Sequence, residues 1–466
     1  MSRSTFLLIL LGAASWLGYV AALGLSDLRK NTIGFEIAFF AAFALYLAAS
    51  AFILRPHPHA PARPNSLPII FLFAIAFRLT LLPSRPTLSD DMYRYVWDGR
   101  VQANGISPYQ YPPKASEVDH LHKNDRSVWR YINRKEAITV YPPGAQIAYA
   151  IIWWVVGDSV TGFKAAFVIA ELIGGVLLIR LLKHFGQPPE RALIYLWSPL
   201  LIFEVAHAGH VDGLMLPLLI AAFWARVRER HWLLGLFIGA ATMVKLFPII
   251  LLPALLPVEQ FGKLLYNFRP ALKTLAAFGS VAALCYLPYA IRDASPIGFL
   301  PQYFNENFNL GLARLLFEIA RQIKIPEATL VNVATFGGLG VMGLGFVIKP
   351  AASRRESLAR CMALIGWFTL FTQNLFAWYL LWLLPLIVLF IEPGKVFGFK
   401  LDSTMAWFIF TGTVAISYLF FIRWRVVAWG QVAEYAPLYA LLIAAGLRSF
   451  WPAPIQHAPI GAIQNS

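Results

Sequence analysis

Apolar blocks recur along almost the whole chain, and they limit most strongly how it can fold. Of 466 residues, 58% are hydrophobic and 14% are charged, and the mean hydropathy is +0.61. Soluble domains are about 45–50% apolar and about 25% charged. A helix needs about 20 predominantly apolar residues to cross the hydrocarbon core of a bilayer. The sequence therefore predicts an all-α polytopic membrane protein with one transmembrane body over residues 1–466, rather than a string of soluble domains.

The hydropathy pattern predicts a bundle of about 12–14 transmembrane helices with juxtamembrane helices on its outer face. The predicted spans are 6–25, 33–54, 67–83, 161–183, 191–206, 211–226, 232–245, 247–257, 272–291, 329–348, 358–374, 377–392, 404–422 and 435–450. The blocks 232–245 and 247–257 are too short to cross an undistorted bilayer. We expect them to be broken or half-depth helices, whose freed backbone groups must be covered by protein.

Basic residues at alternate loops predict the orientation of the bundle. They are Arg55, Arg63, Arg180, Lys183, Arg191, Arg226, Arg228, Arg230, Lys263, Arg269, Lys273, Lys349, Arg354, Arg355, Lys395 and Lys400. By the positive-inside rule these loops are cytoplasmic, in a cell or inner membrane, and the net charge of +15 does not indicate nucleic acid. The outer face then carries a first loop, 84–160, and a second loop, 292–328. The apolar segment 141–157 is predicted to lie on that face, because crossing would reverse the later loops.

The longest polar, aromatic-rich stretch runs from Leu88 to Pro113 and reads LSDDMYRYVWDGRVQANGISPYQYPP. Ser89 is a natural N-cap for a helix with Asp90 and Asp91 in its first turn. Two carboxylates at the outer mouth of a membrane bundle suit a general base that faces a cavity. The alternative is that the two acids only complement the helix dipole.

This stretch and four later motifs resemble the GT-C superfamily of glycosyltransferases, and most nearly its mannosyltransferase-like members such as glycosyltransferase family 87. The later motifs are YPPGAQ at 141–146, HAGHVDG at 207–213, VKLFP at 244–248 and NLFAWYLLWLLP at 374–385. The similarity covers 67–392, and we interpret the first two spans as an addition.

The resemblance implies an inverting transfer of a hexose, mannose in the nearest members, from a polyprenyl-phosphate donor. The acceptor is a lipid or glycan hydroxyl on the non-cytoplasmic face. The family pattern makes one of Asp90 and Asp91 the base, with a slight preference for Asp90, although the sequence does not separate them.

Further residues are candidates for binding the donor. Lys245, alone in an apolar run, is the expected ligand of the donor phosphate; its alternatives are snorkelling to an interface or pairing with an internal acid such as Glu171. Arg94 is a second phosphate or sugar ligand, unless it pairs with Asp90 or Asp98.

His210 and Asp212 are expected to bind substrate hydroxyls or to close the helix end. His207 is a further candidate for binding the donor phosphate or sugar, with Glu204 orienting it. The spacing of His207, His210 and Asp212 is too loose for a strong metal prediction, so no metal or cofactor is expected. The rings of Tyr93, Trp97 and Tyr141 form an interfacial belt or stack on sugar.

Two rival functions remain open from the sequence. A secondary transporter or flippase would explain the broken helices near Lys245, but it should show charges at matching mid-span positions in two repeats. A polysaccharide polymerase or ligase would share the lipid-linked donor without the Asp-Asp loop.

Overall fold

The structure, a computed structural model, describes residues 2–55, 66–122, 127–261, 265–291, 297–299, 306 and 308–450. Six described helices are long and apolar enough to cross a membrane by length and composition. They are Arg3–Gly24, Thr32–Leu54, Val160–His184, Arg269–Ala290, Ala328–Ile348 and Ser403–Ile422. Four shorter apolar helices accompany them: Ser66–Leu81, Pro143–Val156, His231–Val244 and Ala377–Phe390. The prediction of an all-α polytopic membrane protein is confirmed, whereas the larger number of spans stays a prediction.

The α-helices follow one another in this order: α1 Arg3–Gly24, α2 Thr32–Leu54, α3 Ser66–Leu81, α4 Asp91–Ala103, α5 Pro143–Val156, α6 Val160–His184, α7 Leu193–Leu196, α8 Pro199–Ile202, α9 Asp212–Val227, α10 His231–Val244, α11 Leu252–Leu255, α12 Arg269–Ala290, α13 Leu312–Gln322, α14 Ala328–Asn332, α15 Gly338–Ile348, α16 Arg354–Phe371, α17 Leu384–Phe390, α18 Ser403–Thr413 and α19 Ala428–Phe450. The 3-10 segments are Ser116–Leu121, Trp129–Tyr131, Pro189–Ala192, Phe247–Leu251, Ala377–Leu383 and Val414–Ile422. Two π-helical turns span Phe203–His207 and Val333–Gly337. The strands are β1 Glu259–Phe261, β2 Leu265–Asn267 and β3 Pro393–Val396; β1 and β2 pair antiparallel.

The predicted break near Lys245 is confirmed. Helix α10 ends at Val244, and Lys245 has extended backbone angles of φ −152° and ψ 128°. The chain then continues as the 3-10 segment Phe247–Leu251 and the short α11. Pro248 cannot donate a helical backbone hydrogen bond, which favours this interruption. Because of this break, Lys245 lies at the C-terminal end of α10 and not in the interior of a continuous helix.

The segment 191–206, predicted as one span, is also broken into short pieces. It consists of a 3-10 turn, α7, α8 and the π-helical turn Phe203–His207. Pro199 stands at the first position of α8, where its missing N–H costs least, and Ser198 caps that helix. The π-helical turn ends at His207, the first residue of the HAGHVDG motif. π-Bulges of this kind are frequent at functional sites.

The segment 141–157 forms α5, which begins after Pro142 and ends at Gly157. Its inner face packs against α4 and α10 at very short range. A Cβ atom at Gly144 would stand 2.7 Å from the backbone oxygen of Met243, so glycine permits this approach. Ile151, Trp154 and Val155 on the opposite face are exposed, as suits a helix against lipid. The close packing joins Tyr141, just before α5, to the break that follows α10.

Two charges buried inside the bundle, those of Arg78 and Glu171, pair with each other. Arg78 donates to both carboxylate oxygens of Glu171, and its remaining N–H groups donate to the carbonyl oxygens of Ala74 and Leu196. Glu171 is therefore not the partner of Lys245. The wider alternative, that Lys245 pairs with an internal acid, is the one observed, because its ammonium binds Asp212. A buried charge without such a partner would be strongly unfavourable.

The segments predicted to lie on the outer face assemble at one end of the bundle. The contacts that join them are Arg29 to Asp90, Asn133 to Asp91, His210 to Trp378, Lys245 to Asp212, Arg134 to Glu306 and Arg29 to Trp424. Of the second predicted loop, 292–328, only 297–299, 306 and 308–328 are among the described residues. The opposite end carries the Arg354–Glu229 pair and Arg191 on the Val388 carbonyl. One end of the molecule is therefore where the candidate residues meet.

Candidate active site

The two adjacent acids of the LSDD motif face in different directions. Asp90 is the N-cap residue of α4, and Asp91 is the first helical residue, with its amide donating to Ser89 Oγ at 3.2 Å. The Asp90 side chain makes no capping hydrogen bond. Because the cap position does not use its carboxylate, Asp90 is available to a partner elsewhere in the chain.

The partner of Asp90 is Arg29, in the connection between α1 and α2. Its guanidinium donates to both carboxylate oxygens at 3.0 and 3.1 Å and to the Thr87 carbonyl oxygen at 2.7 Å. The Asp90 side chain is 33% exposed. The bidentate pair with the arginine thus occupies both oxygens of the Asp90 carboxylate.

Asp91 faces the interior of the site. Its Oδ1 accepts from Asn133 Nδ2 at 2.9 Å, and its Oδ2 accepts from the Tyr141 hydroxyl at 3.2 Å. His210 Nδ1 lies 3.9 Å from Oδ2, and the Asp91 side chain is 23% exposed. Each oxygen retains a second lone pair, because an ionised carboxylate offers about four acceptor positions. This is a positioned, partly exposed carboxylate with capacity to accept a proton, as a general base requires.

His210 connects Asp91 to a second carboxylate. Its Nε2 lies 3.3 Å from Glu204 Oε2, and the other Glu204 oxygen accepts from the Tyr418 hydroxyl at 2.6 Å. The His210 ring stacks on Trp378 with 3.8 Å between ring centroids. The prediction that Glu204 orients His207 is wrong, because the π-helical turn directs Glu204 to His210. The stacked ring fixes one edge of the space in front of Asp91.

His207 does not join His210 and Asp212 in a common site. Its Nδ1 lies 2.8 Å from Ser84 Oγ and its Nε2 lies 3.1 Å from Thr87 Oγ1. Both ring nitrogens are therefore engaged in a buried position, and the role of His207 in binding the donor phosphate or sugar stays a prediction. Gly209 adopts φ +77° in this turn, where a side chain would collide with Met92. Within the described part of the chain, no three His, Cys, Asp or Glu side chains form a group suited to a metal.

Lys245 and Asp212 form the second charged group of the site. The Lys245 ammonium donates to the two Asp212 oxygens at 3.0 and 2.9 Å, and Asp212 also accepts from Trp382 Nε1 at 2.6 Å. Asp212 is fully buried, binds Lys245 and is the first residue of α9, while its binding of substrate hydroxyls stays a prediction. The Lys245 side chain is 16% exposed and lies over the Tyr379 ring at 4.9 Å. An ammonium has three donors, and Asp212 takes two of them.

Arg94 contacts α4 and its neighbours instead of the site. It donates to Asp98 Oδ1 at 2.7 Å and to the Ala137 carbonyl at 2.9 Å, so the alternative of pairing with Asp98 is the one observed. Gln146 donates to the other Asp98 oxygen at 2.9 Å. Arg94 is therefore held by an ion pair inside the protein while its Nη2 has no hydrogen-bond partner among the described residues, and its role as a phosphate or sugar ligand stays a prediction.

The three predicted aromatic ligands have different surroundings. Trp97 is 1% exposed and packs against His122, and its stacking on sugar stays a prediction. Tyr93 is also buried; its hydroxyl accepts from Arg85, and burial raises its pKa. Tyr141 alone reaches the site, where its hydroxyl lies between Asp91 and the Tyr95 hydroxyl, 3.2 Å from each.

Several residues of the site escaped the sequence analysis. Lys164 is buried and donates to the Ser84 and His207 carbonyl oxygens at 2.6 and 3.3 Å, which closes the His207 turn. Arg29 and Asn133 are also new, and neither lies in a motif. Trp382 lies in the aromatic motif at 374–385, which was the sequence feature that could have identified it as part of the site. The spacing of that motif does not by itself indicate that Trp382 binds Asp212.

Comparison with known proteins gives a family match over residues 9–259, to the family described as alpha-(1->6)-mannopyranosyltransferase, N-terminal domain. The match includes α1 and α2, so the interpretation of the first two spans as an addition is wrong. It also includes the Asp90–Asp91 segment, His210, Asp212 and Lys245.

Among similar curated proteins, GPI mannosyltransferase 1 of Aspergillus fumigatus is 27% identical over 31% of this chain and 36% of its own length. Alpha-(1->6)-mannopyranosyltransferase A of Corynebacterium glutamicum is 28% identical over 38% of this chain and 36% of its own length. A Mycobacterium tuberculosis protein, polyprenol-phosphate-mannose-dependent alpha-(1-2)-phosphatidylinositol pentamannoside mannosyltransferase, is 22% identical over 62% of this chain and 67% of its own length. The chain thus spans only about a third of the length of the first of these relatives.

Proposed function

We propose, on the premise that the chain belongs to the MptA_B family of alpha-(1->6)-mannopyranosyltransferases, that it is a mannosyltransferase of the GT-C type. It transfers mannose from a polyprenyl-phosphate donor to a hydroxyl of a lipid or glycan acceptor. Transfer takes place on the non-cytoplasmic face of a cell or inner membrane. The name of the Mycobacterium tuberculosis relative supports a polyprenol-phosphate donor, and the apolar helices support a membrane location.

The observation that carries this proposal is the juxtaposition of Asp91 and the Lys245–Asp212 pair. Asp91 contacts His210, and Asp212 is two residues further along the same turn. Tyr141, which binds Asp91, lies two residues before α5, and the first turn of α5 packs on the end of α10 beside Lys245. A carboxylate that accepts a proton and a cation that meets a leaving phosphate are the two groups this reaction needs.

In the proposed mechanism Asp91 removes the proton from the acceptor hydroxyl as its oxygen attacks the anomeric carbon. The bond between that carbon and the phosphate oxygen breaks, and its electron pair leaves with the polyprenyl phosphate. Attack from the face opposite to the leaving group inverts the anomeric configuration. Asn133 and Tyr141 hold Asp91 in place, and the proton ends on its carboxyl group.

Lys245 meets the leaving phosphate with its remaining N–H. The distances of 3.0 and 2.9 Å to Asp212 fix the ammonium, while the rings of Tyr379 and Trp382 exclude water from its sides. Preorganised donors in a low-dielectric site stabilise developing charge more than mobile groups in water do. Asp212 therefore positions Lys245 and does not contact the reacting atoms.

Purified protein incubated with radiolabelled polyprenyl-phosphate-mannose and a membrane lipid extract tests the proposal. We expect label in an extractable glycolipid or glycan, with the anomeric configuration opposite to that of the donor. The Asp91→Asn variant serves as the matched control and should incorporate almost none. Absence of transfer by folded wild-type protein, or equal transfer from a nucleotide-linked mannose, would contradict the proposal.

A further inference from the structure

A cavity of about 600 Å³ lies between α15, α16, α18 and α19, and the proposed mechanism does not use it. Its wall on α16 includes Arg355, Ala359, Met362, Gly366 and Leu370. These positions follow one another at intervals of three or four residues, so they lie on one face of the helix. At 1.5 Å per residue this face is about 22 Å long, which exceeds half of a hydrocarbon core about 30 Å thick. The cavity therefore extends over the depth of one leaflet.

The charged end of this cavity lies far from the candidate active site. Arg355 is the second residue of α16, beside the Arg354–Glu229 pair at the opposite end of the bundle. The chain that follows the other end of α16 leads to Trp378, which stacks on His210. The axis of α16 therefore separates the two places, and the alternation of basic loops predicts that the Arg355 end is cytoplasmic.

Two opposite charges line the cavity at this end without contacting each other. The Arg355 guanidinium lies 5.1 Å from the Phe390 ring centroid, and within the described part of the chain it forms no ion pair. Asp402 caps α18, where its Oδ1 accepts from the Met405 amide at 3.0 Å, and no cation of the described ranges pairs with it. Both side chains are half-buried. Charges that are partly removed from water and lack a partner are unfavourable, so a ligand with both opposite charges would stabilise this end.

The third charged residue of the cavity already has a partner. Glu392 accepts from the Lys400 ammonium at 2.7 Å, so its charge is compensated by the protein. The hydroxyl-bearing residues Ser403 and Thr404 line the same end and add hydrogen-bonding groups. The charges left for a ligand are therefore one positive and one negative, which matches a zwitterion. A purely anionic ligand would satisfy Arg355 and meet repulsion from the two acids.

The rest of the cavity is apolar and lies at the depth of the membrane. Beyond Arg355 its walls carry Met362 and Leu370 of α16, Trp407 of α18 and Leu442 of α19. α15 and α18 belong to segments long and apolar enough to cross a bilayer. A small polar zwitterion would leave this part of the cavity without a complementary surface. The ligand that fits both parts is amphipathic, with a zwitterionic headgroup and an acyl chain.

We propose that this cavity binds a phospholipid with a primary amine, phosphatidylethanolamine, from the leaflet opposite to Asp91. Arg355 binds its phosphate, Asp402 binds its ammonium, and one acyl chain lies along the face of α16. Phosphatidylglycerol offers no cation to Asp402. The quaternary ammonium of phosphatidylcholine has the charge but no N–H to donate. The site is separate from the proposed mannosyl transfer and does not depend on it.

Native mass spectrometry of the full chain in detergent tests the proposal, because it resolves retained lipids and oligomers in one spectrum. The protein is titrated with phosphatidylethanolamine, phosphatidylcholine and phosphatidylglycerol that have identical acyl chains. We expect phosphatidylethanolamine to bind about fivefold more tightly than phosphatidylglycerol, the factor that one partly screened ion pair provides. Phosphatidylcholine should have an intermediate affinity.

Variants of Arg355 test recognition of the phosphate. Arg355→Gln should weaken the binding of phosphatidylethanolamine about fivefold, whereas Arg355→Lys, which keeps the charge, should retain most of the affinity. Arg354→Gln is the matched control, because Arg354 is the neighbouring arginine, pairs with Glu229 and does not line the cavity. It should bind all three lipids as the wild type does.

Asp402→Asn tests recognition of the amine. Asparagine is as good an N-cap as aspartate, so the start of α18 should stay intact while the charge is lost. The midpoint of thermal unfolding, measured on the same sample, checks that the fold is kept. We expect this variant to bind phosphatidylethanolamine and phosphatidylglycerol with nearly equal affinity.

Three results would overturn the proposal. They are equal affinity of the wild type for the three lipids, tighter binding of phosphatidylglycerol, and equal binding of phosphatidylethanolamine by Arg355→Gln and Arg354→Gln. A dimer that retains no lipid would assign the cavity to a second copy of the chain and would also overturn it. Because no turnover is measured, each result leaves the proposed mannosyl transfer untouched, and an inactive protein that selects phosphatidylethanolamine would still support the lipid site.

Discussion

Replacing Asp91 by asparagine is the most direct test of the proposed base. The amide has nearly the same shape and stays in the same place, but it cannot accept the acceptor's proton. Its carbonyl oxygen can still accept from Asn133, and the Tyr141 hydroxyl can rotate to accept from the new amide N–H. Because both neighbours keep a partner, we expect a change in stability of at most about 1 kcal/mol.

The expected loss of turnover is large by comparison. A positioned general base contributes about 100- to 10,000-fold to rate, so kcat should fall by that factor. The donor's Kd should stay within about twofold, because Asp91 does not contact the leaving phosphate in the proposed mechanism. The assay is single-turnover transfer from radiolabelled donor, with the midpoint of thermal unfolding measured on the same samples.

Asp90→Asn is the matched control, one residue away on the same turn. It keeps one hydrogen bond to Arg29 and loses a partly exposed ion pair worth about 0–1 kcal/mol, so transfer should fall less than about tenfold. The assignment of Asp91 as the general base is refuted if Asp91→Asn retains more than a tenth of wild-type kcat. It is equally refuted if Asp90→Asn loses as much as Asp91→Asn while remaining folded.

Two other predictions concern the donor side of the site. Lys245→Ala should weaken polyprenyl-phosphate binding by at least about tenfold and also lower stability, because it leaves Asp212 as an unpaired buried charge. The double variant Lys245→Ala with Asp212→Asn should recover stability without recovering affinity, as measured by thermal unfolding and by binding of radiolabelled polyprenyl phosphate. Treatment with EDTA should leave the transfer rate unchanged, because Lys245 supplies the cation that meets the leaving group. Strong inhibition that added divalent ion reverses would instead establish a metal site, and unchanged affinity in Lys245→Ala would assign that residue a structural role.

The sequence was informative wherever the physical signal is local. Twenty-residue apolar blocks identify a membrane protein, because hydrocarbon demands a helix of about that length at each crossing. The break near Lys245 was predicted for a similar reason, since an apolar block much shorter than about 20 residues does not cross the bilayer. Because basic loops alternate with less basic ones along the chain, the sequence predicted that the less basic loops lie together on one face. The contacts of Arg29, Asn133 and Trp378 agree with that prediction.

What the sequence alone determined about this protein is therefore its class, its family resemblance and the segments that form the site. The tertiary structure decided which side chains meet. Arg29 binds Asp90 from 61 positions away in sequence, and Lys245 pairs with Asp212 and not with Glu171, which Arg78 already holds. A π-helical turn rotates Glu204 toward His210 and away from His207. Such pairings depend on how distant helices pack and on which oppositely charged side chains this packing brings together. No local pattern of residues encodes that outcome.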